Sequence, residues 1–87
     1  GNSALHAACA AGHAALIPRL LAARAPLDAA NAHGDTALHL AARSRCLQCA
    51  GMLIAAKASM NVRNADGLSA PDVARLTADK ALVSLFD

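Results

Sequence analysis

Apolar positions along this chain come in short helical bursts separated by breaks rich in turn-forming residues. The first burst begins at Ala4 and runs about eight residues, with Leu5 and Ala8 on its apolar side. A break follows at Gly12-His13, and the spacing restarts as Leu16, Ile17, Leu20 and Leu21. The pattern then repeats. A burst begins at Ala37, breaks near Arg45-Cys46 and restarts as Cys49, Leu53 and Ile54; a last one begins at Ala70 and is followed by Leu82 and Leu85. Ser3, Thr36 and Ser69 stand where each first helix needs an N-cap hydroxyl for its free N–H groups. Across 26–34 and 59–67 the periodicity fails, and Asn, Asp, Pro and Gly predict a turn or hairpin. The predicted unit is helix, helix, finger.

The units are copies of one another. Gly1, Gly34 and Gly67 recur every 33 residues, and in the same register Ser3, Thr36 and Ser69 align, as do His6, His39 and Asp72, and Ala8, Ala41 and Ala74. Leu20 aligns with Leu53 and Asn31-Ala32 with Asn64-Ala65; 11 of the 33 pairs in the first two units are identical, with no gap. A fixed period of this length is the signature of a stacked repeat, in which one unit cannot bury its own apolar face and neighbours do it together.

Thr36-Ala37-Leu38-His39-Leu40-Ala41-Ala42 and Ser3-Ala4-Leu5-His6-Ala7-Ala8 resemble the Thr-Pro-Leu-His-x-Ala signature of the ankyrin repeat, whose period is the same. The resemblance implies an all-α solenoid of helix-turn-helix units with hairpin or turn fingers, dividing the chain into repeats 1–33 and 34–66 and a shorter carboxyl-terminal capping repeat 67–87. Alanine replaces the signature proline, Pro71 is shifted by one position, and Arg45-Cys46 replaces the Gly-His that Gly12-His13 preserves. Ala8, Ala41 and Ala74 are expected to let first helices approach closely, with Leu5, Leu20, Leu38, Leu53, Ile54, Leu82 and Leu85 filling the layers between them. The first unit has no polar replacement of its apolar positions, so further repeats are expected upstream, within a longer chain.

Two residue types break local rules. Pro18 falls inside the second helix of the first unit, where a missing N–H and a ring clash predict a late start or a kink. Arg24 and Lys57 occupy the position after the second helix where such repeats place glycine, which predicts a left-handed backbone at both.

Composition narrows the function. The 87 residues and 8.7 kDa allow a single small domain. Of the apolar residues 25 are alanine, so the core is thin, and Phe86 is the sole aromatic, which removes the stacking platforms of a single-strand nucleic-acid binder. Eight Lys and Arg against six Asp give a charge of +2, dispersed along the chain; this is no nucleic-acid or membrane footprint, and no apolar run approaches a membrane span. Three cysteines, an odd number, make a poor disulfide framework and suit a reducing intracellular compartment, cytoplasmic or nuclear.

No catalytic constellation is visible: there is no Glu, no glycine-rich phosphate loop and no Ser, His and Asp grouping, so no enzyme activity and no cofactor are expected. The resemblance assigns His6 and His39 to hydrogen bonds that tie one repeat to the next. Cys46-Leu47-Gln48-Cys49 has the spacing of half a zinc site or of a redox pair. Its possible further ligands, His13 and Cys9, lie on the neighbouring unit, at a helix-packing distance expected to keep the side chains apart. Cys49 aligns with Leu16, a core position, so the expectation is free thiols with no metal. The resemblance also makes Asn61, aligned with Asp28, a position that asparagine hydroxylases can modify.

What remains is surface. In the ankyrin family the finger tips and the exposed ends of the first helices form a concave face that binds protein partners. The matching positions here are Ala32, His33, Asp35, Leu40, Arg43 and Ser44, with Arg63, Ala65, Asp66 and Leu68 in the next finger and Asn2, Ala10 and Ala11 in the first unit. Leu40, Leu68 and Val73 beside Arg43 and Arg63 are the expected hot spot, suited to an extended peptide with apolar and acidic side chains. The expected function is a non-enzymatic module binding a protein or peptide. The alternatives are repeats that only cap a longer array or pack on another domain, and a zinc or redox site at Cys46 and Cys49.

Overall fold

The computed structural model describes residues 4–25 and 27–86. Ser3, Asn2 and Pro26 lie outside them, and so does the expected cap at Ser3. Among the described residues six α-helices follow in order: α1 (Ala4–Ala11), α2 (Ile17–Ala22), α3 (Ala37–Arg43), α4 (Leu47–Ala55), α5 (Ala70–Thr77) and α6 (Lys80–Leu85), with a 3-10 turn at Ala14–Leu16. No strand occurs among the described residues. Each odd helix packs on the even helix that follows. The odd helices contact one another in the order α1, α3, α5 and the even ones in the order α2, α4, α6, giving two layers.

The core lies between the layers. Leu5, Leu38, Leu53 and Leu82 are fully buried, and Ala8, Ala41 and Ala74 are buried at the odd-helix contacts, where no larger side chain would leave the backbones so close. Leu20 and Ile54 are only half-buried, and Leu85, expected inside, is exposed on the last helix. Leu16 is also exposed, at 43%, whereas the residue aligned with it, Cys49, is fully buried. The cause is Pro18. It stands at the second position of α2, where its missing N–H would have no helical partner, so α2 starts late and the preceding residues form the 3-10 turn. That turn sends Leu16 outward, while Ile17 stays in the core as the aligned Ala50 does.

Backbone conformation keeps the 33-residue period more faithfully than residue type does. The turn between paired helices is left-handed at Gly12, Arg45 and Ala78 (φ 74°, 59° and 58°). The residue after the second helix is left-handed at Arg24 and Lys57 (φ 63° and 69°), as expected, and the finger at Gly34 and Gly67 (φ 76° and 77°). Pro71, at the second position of α5, is tolerated for the same reason as Pro18.

Candidate functional site

The site is built on the fingers. Asn31 and Asn64 each fold a finger tip through an Asx turn: Asn31 Oδ1 accepts from the N–H groups of His33 (2.9 Å) and Asp35 (3.0 Å), and Asn64 Oδ1 from those of Asp66 (2.9 Å) and Leu68 (3.0 Å). Neighbouring fingers are joined where the Ala65 N–H donates to the His33 carbonyl at 2.9 Å and Asn64 Nδ2 donates to Asp35 Oδ1 at 2.8 Å. Gly34 permits this closeness, because a Cβ there would stand 2.8 Å from the Ala65 nitrogen.

The signature histidines tie helices to these fingers. Thr36 N–H donates to His39 Nδ1 at 3.0 Å, which leaves the ring proton on Nε2 to be donated to the Leu68 carbonyl at 2.8 Å. His6 Nε2 reaches the Asp35 carbonyl at 2.9 Å in the same way. Asp72, in the third copy, keeps only the local half of this role: its Oδ2 accepts from the N–H (3.1 Å) and hydroxyl (3.0 Å) of Ser69.

Asp35 is buried and takes a second partner, Arg43 Nη1, at 2.9 Å. Burial works to raise the Asp35 carboxyl, but the Asn64 amide and the Arg43 guanidinium outweigh it and hold it below 3.8. Arg43 stays half-exposed, so the pair anchors a guanidinium at the surface, with its other N–H donors unused among the described residues. Beside it lies a groove of about 280 Å³ lined by Ala10, Leu40, Arg43 and Ser44. It runs between the ends of α1 and α3. The Ser44 hydroxyl donates to the Cys9 carbonyl at 2.9 Å and holds those ends together. A small apolar group fits against Ala10 and Leu40, and a carbonyl or carboxylate beside it can accept from Arg43.

The expected binding residues therefore divide. Ala32, His33, Arg43, Ser44, Arg63, Ala65, Asp66, Ala10 and Ala11 are exposed, on the finger tips and odd-helix ends; Asn2 lies outside the described residues. Asp35, Leu40 and Val73 are buried, and Leu68 is half-buried. The expected hot spot of Leu40, Leu68 and Val73 is thus not a surface patch: Val73 belongs to the core, Leu40 forms a groove floor, and Asp35 acts through Arg43. Sequence reasoning passed over the cross-finger role of Asn64, although its recurrence with Asn31 was the available signal. A larger hollow of about 360 Å³, lined by Ala78, Lys80, Val83 and Ser84, lies at the start of α6, away from the fingers.

Cys9, expected to stand apart from the C-x-x-C pair, reaches it. Cys46 and Cys49 bring their Sγ atoms to 2.7 Å, and the Cys9 thiol lies against Cys49. Burial pushes the Cys9 thiol up to about 11, which disfavours the thiolate that a metal needs. Among the described residues no group of three or more His, Cys, Asp or Glu is arranged to hold a metal ion. Asn61 is exposed in its turn, with its N–H 3.4 Å from the Ser59 hydroxyl, and the aligned Asp28 accepts from the Ser59 N–H at 2.8 Å.

These features meet a match in the comparisons with known proteins. The family model for ankyrin repeats (3 copies) matches residues 1–64, nearly three-quarters of the chain. The chain belongs to the ankyrin-repeat family, whose members are generally protein–protein interaction modules. No curated protein matches it. No helix among the described residues is long and apolar enough to cross a membrane.

Proposed function

We propose that the chain is a non-enzymatic module that binds a protein partner through the face formed by its finger tips and odd-helix ends, centred on the Ala10–Leu40–Arg43–Ser44 groove. The observation that carries this reading is the Arg43–Asp35 pair, a surface cation held by a buried carboxylate beside an apolar floor. A preset side chain loses little rotamer freedom on binding, and arginine anchors of this kind are common at the centre of interfaces. His33, Arg63, Ala65 and Asp66 would form the rim. The partner segment is extended, with a small apolar side chain for the groove and an acidic or carbonyl group for Arg43. We place the protein inside the cell, as part of a longer chain divided into units 1–33, 34–66 and 67–87, and we assign it no nucleic-acid partner. Asn61, exposed at its turn, is a candidate for hydroxylation, read as one added oxygen in intact mass.

The experiment is partner capture with the native chain and with Ala10→Arg, which fills the groove from an exposed helix position and leaves the core and the Arg43–Asp35 pair untouched. Partners lost with the variant at equal helicity support this face; partners retained at full strength contradict it.

One observation favours a second role for the third unit. Asp72 replaces the histidine that reaches the next finger, so α5 offers no such donor to a following repeat. That is the chemistry expected of a capping unit.

A further inference from the structure

The thiols of Cys9, Cys46 and Cys49 form a cluster that partner binding does not use. Cys46 is the N-cap of α4 and Cys49 is its third residue, so one helical turn brings them to the same point. Their Sγ atoms are 2.7 Å apart, and the Cys49 N–H donates to Cys46 Sγ at 3.3 Å. Exposure differs sharply among the three. Cys46 is half-buried at the turn, while Cys49 and Cys9 are fully buried.

We propose that Cys46 and Cys49 are an oxidisable dithiol that closes to a disulfide on meeting a small disulfide such as glutathione disulfide, with Cys46 the entry thiol and Cys49 the resolving one. Cys46, as thiolate, attacks one glutathione sulfur and releases the other as glutathione thiolate, forming a mixed disulfide. Cys49 gives its proton to water and attacks the Cys46 sulfur, and the second glutathione leaves. Two protein thiols are oxidised to one disulfide, one glutathione disulfide is reduced to two glutathiones, and the two protons lost by the protein end on them.

Three features assign these roles. Only Cys46 is reachable by a tripeptide. Burial pushes the Cys49 thiol above its ordinary value, with the Cys46 contact adding to the effect, so Cys49 is not the thiol that attacks first. Closing Cys46 to Cys49 adjusts one turn of one helix, whereas a bond from Cys49 to Cys9 would join two separate helices, α4 and α1.

The test is intact mass and peptide mapping of the folded chain after incubation with glutathione disulfide at mildly alkaline pH, with helicity followed throughout. The expected result is complete conversion to a species lacking two hydrogens, with Cys46 linked to Cys49, Cys9 alkylated only after unfolding, and dithiothreitol restoring three thiols. Cys9→Ser converts equally, and Cys46→Ser, at the half-buried position, does not convert. A folded chain that keeps three thiols, a stable glutathione adduct on Cys46, or a disulfide containing Cys9 would each overturn the proposal.

Discussion

His39 Nε2 donates to the carbonyl of Leu68 at 2.8 Å, across 29 residues of chain, and His6 makes the same reach to Asp35 at 2.9 Å. Each bond joins the start of one odd helix to the finger that leads into the next. His39 is buried and its bond to Leu68 part-buried, so the histidine matters chiefly through the buried Thr36 N–H that its loss would orphan. His39→Ala leaves the Thr36 N–H and the Leu68 carbonyl without this partner and opens a cavity. It should cost about 2–4 kcal/mol, read as a lowered urea midpoint.

Gly34 and Gly67 share a left-handed backbone but not a neighbourhood. A Cβ at Gly34 meets the Ala65 nitrogen at 2.8 Å and the Asn64 Cα at 3.0 Å, both backbone atoms, while a Cβ at Gly67 meets nothing within 4 Å. Gly67→Ala should therefore cost about 1 kcal/mol, the left-handed penalty alone. Gly34→Ala should cost clearly more, because the joined fingers must separate. Equal losses in thermal or urea unfolding would contradict the finger-joining role.

Arg24, Arg45, Lys57 and Ala78 carry the reverse opportunity, since each is a non-glycine residue with positive φ. Lys57→Gly at an exposed turn should raise stability by about 0.5 kcal/mol, the relief of strain less the added freedom of the unfolded chain. An unchanged or lowered urea midpoint would show that the strain is compensated locally.

The Asp35 carboxyl is held below 3.8 in the folded chain despite its burial, by Asn64 and Arg43. A carboxyl depressed on folding adds stability that is present above its unfolded value, near 4, and is lost as pH falls through the folded value. The chain should lose stability below about pH 4, and Asp35→Asn should flatten that part of the profile while lowering stability at neutral pH. A profile unchanged by Asp35→Asn would remove the pair from the account.

How much of this was legible beforehand follows from which signals are periodic. The Thr36 and Ser69 caps and the buried alanines sit at fixed registers of the 33-residue repeat, so aligning the copies exposed them; the left-handed Arg24 and Lys57 followed from the position where the ankyrin family places glycine. Arg45 and Ala78 occupy the register of Gly12 but carry no glycine, and their strain was invisible in residue type. Leu16 was misplaced because alignment assumed an α-helix where a 3-10 turn precedes Pro18. Leu40 and Val73 were read as surface because hydropathy alone does not say which side of an odd helix faces the even layer. The convergence of Cys9 with Cys46 and Cys49 depends on how far one helix end leans over the next, which spacing does not encode.

The central claim is that the finger and odd-helix face binds protein, and site-directed photo-crosslinking tests it most directly. A photoreactive side chain would be placed in turn at Ala10, His33 and Asp66 on that face, and at Gln48 and Ala55 on the even-helix layer, all exposed. Helicity equal to that of the native chain would be required of each variant, and each would then be irradiated with the captured partner. The account predicts crosslinks from Ala10, His33 and Asp66 and none from Gln48 or Ala55. Crosslinks confined to Gln48 and Ala55 would contradict it.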